Sequence, residues 1–274
     1  MMATSPTLVE RDGYLAAVME AVKGSAEAGR VVLLSGEAGH GKTSLLDHVL
    51  KDLDHRYRLL TAACEPVGIP AAFAPLFDLL DDLPDDLRAD VRSGTGRPGV
   101  YAGMLDLIKN DRVVLAIEDV HWADEATLGL IRYLGRRIQA TNSTLIVTFR
   151  PEELALNPPL RLVVADLGPT ALRVELPSLS LAGVEEMTRG RGVDPLRTYE
   201  LTGGNPFYVE EVLRHPDRDL PSTIQNVILA NAERLPDAAM ELLYTVALSP
   251  DGLPLAAGKP GCSCHSRRRF HCPC

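Results

Sequence analysis

One octapeptide constrains this chain more than any other feature. Gly36-Glu37-Ala38-Gly39-His40-Gly41-Lys42-Thr43 fits G-x-x-x-x-G-K-[ST] at every fixed position. Its flanks matter as much as its letters. Val31–Leu34 is a short aliphatic run that reads as an interior strand, and Leu45, Leu46, Val49, Leu50 and Leu53 recur at helical spacing over 42–53. A glycine-rich bend between strand and helix lets successive backbone N–H groups converge on one point, because no Cβ keeps them apart. The helix behind it adds the positive end of its dipole. This pattern predicts a phosphate cradle built on Gly36, Gly39 and Gly41. In it Lys42 bridges the β- and γ-phosphates and the Thr43 hydroxyl ligates Mg2+. His40 and Glu37 occupy variable positions and are expected to face solvent.

Such a cradle needs carboxylates for the metal. Val113-Val114-Leu115-Ala116-Ile117-Glu118-Asp119 supplies an apolar strand ending in two acids. At the carboxyl edge of a parallel sheet these acids face the same crevice as the glycine loop. One of them can hold Mg2+ and the other can orient or deprotonate an attacking water.

The rest of the chain fits that frame. Helices are expected over 8–28, 71–83, 99–109 and from a cap at Asp124 through Ile138; strands are expected over 57–64, 144–149 and 172–176. The polar stretch 85–98 reads as a surface connection. Strands alternating with helices mean a parallel sheet covered on both faces. From about Ser178 the pattern is wholly helical: 181–190, 194–202, 206–214, 222–234 and a last segment from Pro236. The fold class is α/β, with four segments: a nucleotide-binding domain at 1–176, a helical lid at 177–235, the start of a truncated winged helix at 236–255, and an aberrant tail at 256–274.

Composition narrows the function. Of 28 Lys+Arg, four (Lys259, Arg267, Arg268 and Arg269) lie in the tail, so residues 1–255 hold 24 against all 37 Asp+Glu, a balance of −13. A surface so acidic is a poor non-specific partner for nucleic acid, and no direct nucleic-acid contact is expected of this segment. The aliphatic runs are far shorter than a membrane span, and the opening residues lack an apolar signal core, so the expectation is a cytoplasmic protein. Four of the five cysteines crowd into CSCHSRRRFHCPC at the end. Their C-x-C spacing fits structural zinc poorly, and the loss of aliphatic periodicity there reads as out-of-frame translation of a GC-rich gene.

Four stretches resemble the ATPase module of large LuxR-type bacterial regulators, in the STAND branch of AAA+ proteins. Leu8-Val9-Glu10-Arg11-Asp12 is similar to that family's opening "ERxxEL" element. GEAGHGKTS is its Walker A, ending in Ser44, and LAIEDVHWAD resembles its Walker B. Thr202-Gly203-Gly204-Asn205-Pro206-Phe207 followed by VEEVLR resembles its "TGGNPF" lid element. The resemblance implies that Arg11 lies against the adenine, that Pro206 contacts the base, and that Arg150 senses the γ-phosphate. An always-charged fork at a strand tip suits that last task. His121 and Trp122 are expected to pack beneath the loop, and Asp124 to cap a helix. Glu118 stands where the family has Asp, one methylene longer.

The function implied is an ATP-binding regulatory switch with Mg2+-dependent hydrolysis, responding to an inducer or protein partner of unspecified chemistry and free to form a homo-oligomer. Two alternatives share the same motifs: a P-loop phosphotransferase, and an origin-recognition-like AAA+ ATPase associated with DNA.

Overall fold

A computed structural model describes residues 8–53, 55–66, 71–94, 96–216, 229, 232 and 236–247. The chain divides into two compact units, 1–214 and 215–274. Five parallel strands form the sheet of the first: β1 (Arg30–Ser35), β2 (Arg58–Ala63), β3 (Val113–Glu118), β4 (Thr144–Phe149) and β5 (Leu172–Glu175), in the order β2-β3-β4-β1-β5. The central strand β4 thus separates the strand before the glycine loop from the strand that carries the acids.

Both faces of the sheet are apolar because successive side chains alternate between two cores. Val31 and Leu33, Leu115 and Ile117, and Leu145 and Val147 enter one core. Helices α3 (Asp85–Ser93), α4 (Arg97–Asn110), α5 (Glu125–Gly135) and α6 (Pro158–Leu167) cover it. Val32 and Leu34, Val114 and Ala116, and Ile146 enter the other, beneath α1 (Asp12–Gly24) and α2 (Lys42–Asp52). Three short helices follow in the same unit: α7 (Leu181–Thr188), α8 (Pro195–Thr202) and α9 (Pro206–Arg214). Their shared core is small, with Val9, Leu179, Val184 and Val209 buried in it.

Several expectations need correction. The helix expected from residue 8 begins at Asp12, because Glu10 takes a left-handed backbone (φ 56°) that no helix continues through. The helix expected over 71–83 is a 3-10 segment, Ala74–Asp82, entered through a left-handed Phe73 (φ 62°). The stretch read as a surface connection contains α3, whose Leu87 and Val91 are buried one helical turn apart amid acids and arginines. Two apolar residues are too few to show in a periodicity count, yet they suffice to seat a helix.

Between β4 and β5, where the sequence reading places no element, lies α6. Asn157 caps it through Leu160 N–H (3.0 Å), and Pro158 and Pro159 open it. In the second unit the segment expected from Pro236 is a helix over Asp237–Ala247. The helix expected over 222–234 lies outside the described residues apart from 229 and 232, as does the whole tail from 256 with its cysteine cluster. Among the described residues no helix is long and apolar enough to cross a membrane.

Candidate nucleotide site

Register places the phosphate-end residues. β1, β3 and β4 run parallel, with Ser35 opposite Phe149 and Ile117 opposite Val147. Gly36, Glu118–Asp119 and Arg150 therefore leave the sheet at one edge, with Arg150 between the other two. This is the crevice outside the carboxyl ends of the strands where open α/β folds bind ligands.

Within the loop, Gly39 (φ 82°) and Gly41 (φ 86°) adopt left-handed backbone that a side chain would strain. Lys42 opens α2 and is buried; its ammonium donates to the carbonyls of Gly36 (2.7 Å) and Glu37 (3.0 Å). Burial depresses its pKa, and Asp119 opposes that shift most strongly. A buried ammonium held on two neutral carbonyls has charge to spare for a phosphate. Across the crevice the Thr43 hydroxyl donates to Glu118 Oε2 at 2.7 Å, so the two sequence elements meet through one hydrogen bond. Burial raises the Glu118 pKa, and the Thr43 hydroxyl pulls it back down.

Asp119 sits at φ 50°, and its N–H donates to Thr148 Oγ1 of β4 (2.9 Å). A neighbouring strand thus fixes the turn that aims this carboxylate. Arg150 lies close enough to Lys42 to lower that lysine's pKa. Its Nε is buried with no hydrogen-bond partner among the described residues, and an anion would supply one. The buried His121 packs against Trp122 with ring centroids 5.1 Å apart and sits 3.8 Å from the Asp119 carboxylate. Asp124 caps α5 through Thr127 N–H (2.9 Å) and also accepts from Phe73 N–H (3.2 Å). A cavity of about 270 Å³ adjoins Asp124, Asp78 and Cys64 away from the glycine loop. Asp124 is already committed there to ordering backbone, and burial pushes the Cys64 thiol up to about 12.

At the other end of the loop a crevice of about 50 Å³ is lined by Arg11, Gly41, Ser44 and Pro206, with Leu8, Val9, Leu179 and Met187 as apolar wall. That is the room of one or two waters, less than a nucleotide base needs. The structure brings together all of the base-end residues expected from the sequence. It also gives Arg11 a partner that spacing did not show: the guanidinium, 4% exposed, donates to Pro177 O at 2.5 Å. Pro206 begins α9 directly above the loop.

Two site residues were missed. His40, expected in solvent, is only 5% exposed. Its Nδ1–H donates to Leu176 O (2.8 Å) because the connection leaving β5 passes beside the loop. Glu37 is exposed as expected. Asn205 is buried, and its amide donates to Ala38 O (2.8 Å) while Phe207 N–H reaches Gly39 O (3.3 Å). A Cβ on Gly39 would lie 2.6 Å from Asn205 Oδ1, so this glycine is required by the close approach of α9's start as well as by its φ. The only signal for Asn205 was its place in TGGNPF.

The donors of this site fit ATP and Mg2+. Thr43 and Glu118 are hard oxygens, and Mg2+ bound beside a nucleotide takes only one or two carboxylates before phosphate and water complete its shell. Among the described residues no cluster of three or more His, Cys, Asp or Glu could cage a metal by itself.

Sheet order, glycine loop and paired acids define a P-loop ATPase of the AAA+ fold. The chain belongs to the AAA ATPase domain family, whose model matches residues 7–147. No curated protein matches it. Among solved structures it is similar to the ORC1 protein of Aeropyrum pernix in complex with DNA. That match has 14% identity and TM-score 0.56, over 90% of this chain and 74% of that one. The Walker-type ATPase of Pyrococcus abyssi is 16% identical at TM-score 0.56, over 89% and 77%. The ORC2 protein of A. pernix is 14% identical at TM-score 0.54; there the match spans 77% of this chain and 62% of that one. Likeness at this identity concerns the fold.

Proposed function

We propose that the chain is a nucleotide switch of the LuxR-type regulator class, which binds ATP with Mg2+ and hydrolyses it slowly. The observation that carries this reading is the 2.7 Å bond from Thr43 to Glu118, which joins the glycine loop to the acids in one crevice beside Lys42 and Arg150. In this reading Lys42 and Arg150 hold the terminal phosphate, and the loop amides hold the phosphate before it. Thr43 and Glu118 hold Mg2+, which neutralises phosphate charge when bound. Asp119, aimed by Thr148, orients the attacking water. The arm of Glu118 is one methylene longer than the usual aspartate, and because Mg2+ demands near-ideal octahedral geometry this departure is in keeping with slow turnover.

Arg11 and Pro206 flank the base, so α7–α9 form a lid that reads which nucleotide is present. Such a switch moves only by the difference in affinity of its two arrangements for a ligand, and a near-complete shift takes about 5.5 kcal/mol. The acidic surface disfavours the origin-recognition reading.

The test is direct. Mg-ATP at about a hundred times its Kd should stabilise the chain by roughly 2.7 kcal/mol. Phosphate should then appear without any added acceptor. Release only with an acceptor would instead identify a phosphotransferase, and salt-sensitive binding to duplex DNA would favour the origin-recognition reading.

A further inference from the structure

We infer that His40 couples the phosphate loop to the connection between β5 and α7, and through it to the lid. The inference rests on the proposal that the loop holds a nucleotide. His40 stands at a position of the G-x-x-x-x-G-K-[ST] pattern that the phosphate chemistry leaves free, yet its ring is buried. A carbonyl oxygen only accepts, so the 2.8 Å contact to Leu176 O requires the proton on Nδ1. Nε2 is left to face Ser178 Oγ at 3.4 Å, with the Glu37 carboxylate at 3.7 Å. The ring therefore holds two residues of the connection at once.

The loop leans on the same place a second time. A Cβ on Gly36 would lie 3.0 Å from Leu176 O. Beyond Ser178, Leu179 N–H donates to Gly204 O (2.8 Å), and Gly204 leads into Asn205, whose amide returns to the loop at Ala38 O. Loop, connection and lid turn thus close a hydrogen-bonded circuit: His40 to Leu176 and Ser178, Leu179 to Gly204, Asn205 to Ala38. The connection is also gripped from the N-terminus. Arg11 holds Pro177 O, and the Glu10 carboxylate accepts from the Ser180 N–H (2.9 Å) and hydroxyl. A loop that shifts to wrap a phosphate drags His40, and His40 has no slack in which to leave the connection behind. It is a positioning residue: its side chain points away from the phosphate cradle to the connection and acts through the segment it holds.

Hydrogen exchange of the full chain with and without Mg-ATP tests the coupling. In wild type, nucleotide should slow exchange both in the loop (36–43) and across 177–188. His40→Leu should keep the slowing in the loop, lose most of it across 177–188, and weaken Mg-ATP binding by about two- to tenfold. His40→Asn should restore the second region, because its Nδ2–H sits as many bonds from the backbone as Nδ1–H and can reach Leu176 O. If His40→Leu still protects 177–188, the inference fails. It also fails if both regions lose protection and Asn does not rescue them, since that is the signature of a collapsed cavity. Wild type showing no protection anywhere would overturn the nucleotide reading, and the coupling with it.

Discussion

The two ends of the candidate site are made differently. At the phosphate end the functional side chains sit at strand tips or on the first turn of α2, and two large cores fix the strands behind them. At the base end the residues come from an N-terminal segment, a connection and three short helices, with a core of four buried side chains. The first end is held by burial and register, the second by polar contacts between residues 136 to 170 apart in sequence, such as His40–Leu176 and Ser180–Glu10. Local stability follows buried apolar contact, so the base end should open first and often, while the phosphate end stays assembled until global unfolding. The switch proposed above needs that asymmetry: a rigid part to hold the ligand and a yielding part to report it.

Substitutions that separate chemistry from binding probe the rigid end most severely. Asp119→Asn should keep Mg-ATP binding and lower turnover by about a hundredfold or more, read as phosphate release. Asparagine is the right substitute, because it tolerates the left-handed backbone at φ 50° and isolates the charge. A variant as fast as wild type would remove the acid from the chemistry. Next in size, Lys42→Ala should erase the roughly 2.7 kcal/mol of nucleotide stabilisation. An unchanged thermal shift would move the phosphate site elsewhere.

The yielding end should respond more mildly. Asn205→Leu breaks the bond to Ala38 and should weaken Mg-ATP by about 1 kcal/mol in binding titrations, with turnover at saturation preserved. If turnover falls as much as for Asp119→Asn, the two ends are not distinct. The smallest effect concerns pH. Burial raises the Glu118 pKa in the folded chain, so the folded state disfavours its charge. Stability from this group is complete below the unfolded glutamate pKa, and it declines as pH rises through the folded value. Glu118→Gln should therefore melt slightly higher than wild type at neutral pH, by at most about 2–4 °C, with the gap closing in acid. A gap that widens in acid would reverse the sign of the shift.

Much of the rigid end was legible in the chain. A phosphate cradle is one contiguous stretch, and the acids close a strand whose alternation is unmistakable, so local spacing carries both. Periodicity failed where few apolar residues do the seating, as with Leu87 and Val91 in α3. Asn157 and the two prolines behind it are a start signal for α6, but one that apolar spacing does not register. His40 was misread for another reason: a P-loop pattern says where phosphates touch the loop and nothing of what passes behind it.

What the amino-acid order determined by itself is therefore the chemistry of the phosphate end: which glycines bend, which lysine, threonine and acids face the crevice, and that a parallel sheet stands behind them. These follow from backbone sterics and from alternation, and both act over a few residues. Only the tertiary structure decided that β4 comes between β1 and β3, that Thr148 steers Asp119, and that His40, Asn205, Arg11 and Glu10 bind loop, connection and lid into one circuit. Those contacts join residues far apart along the chain, and their partners are largely backbone carbonyls and amides, which every residue carries and no side-chain pattern can mark.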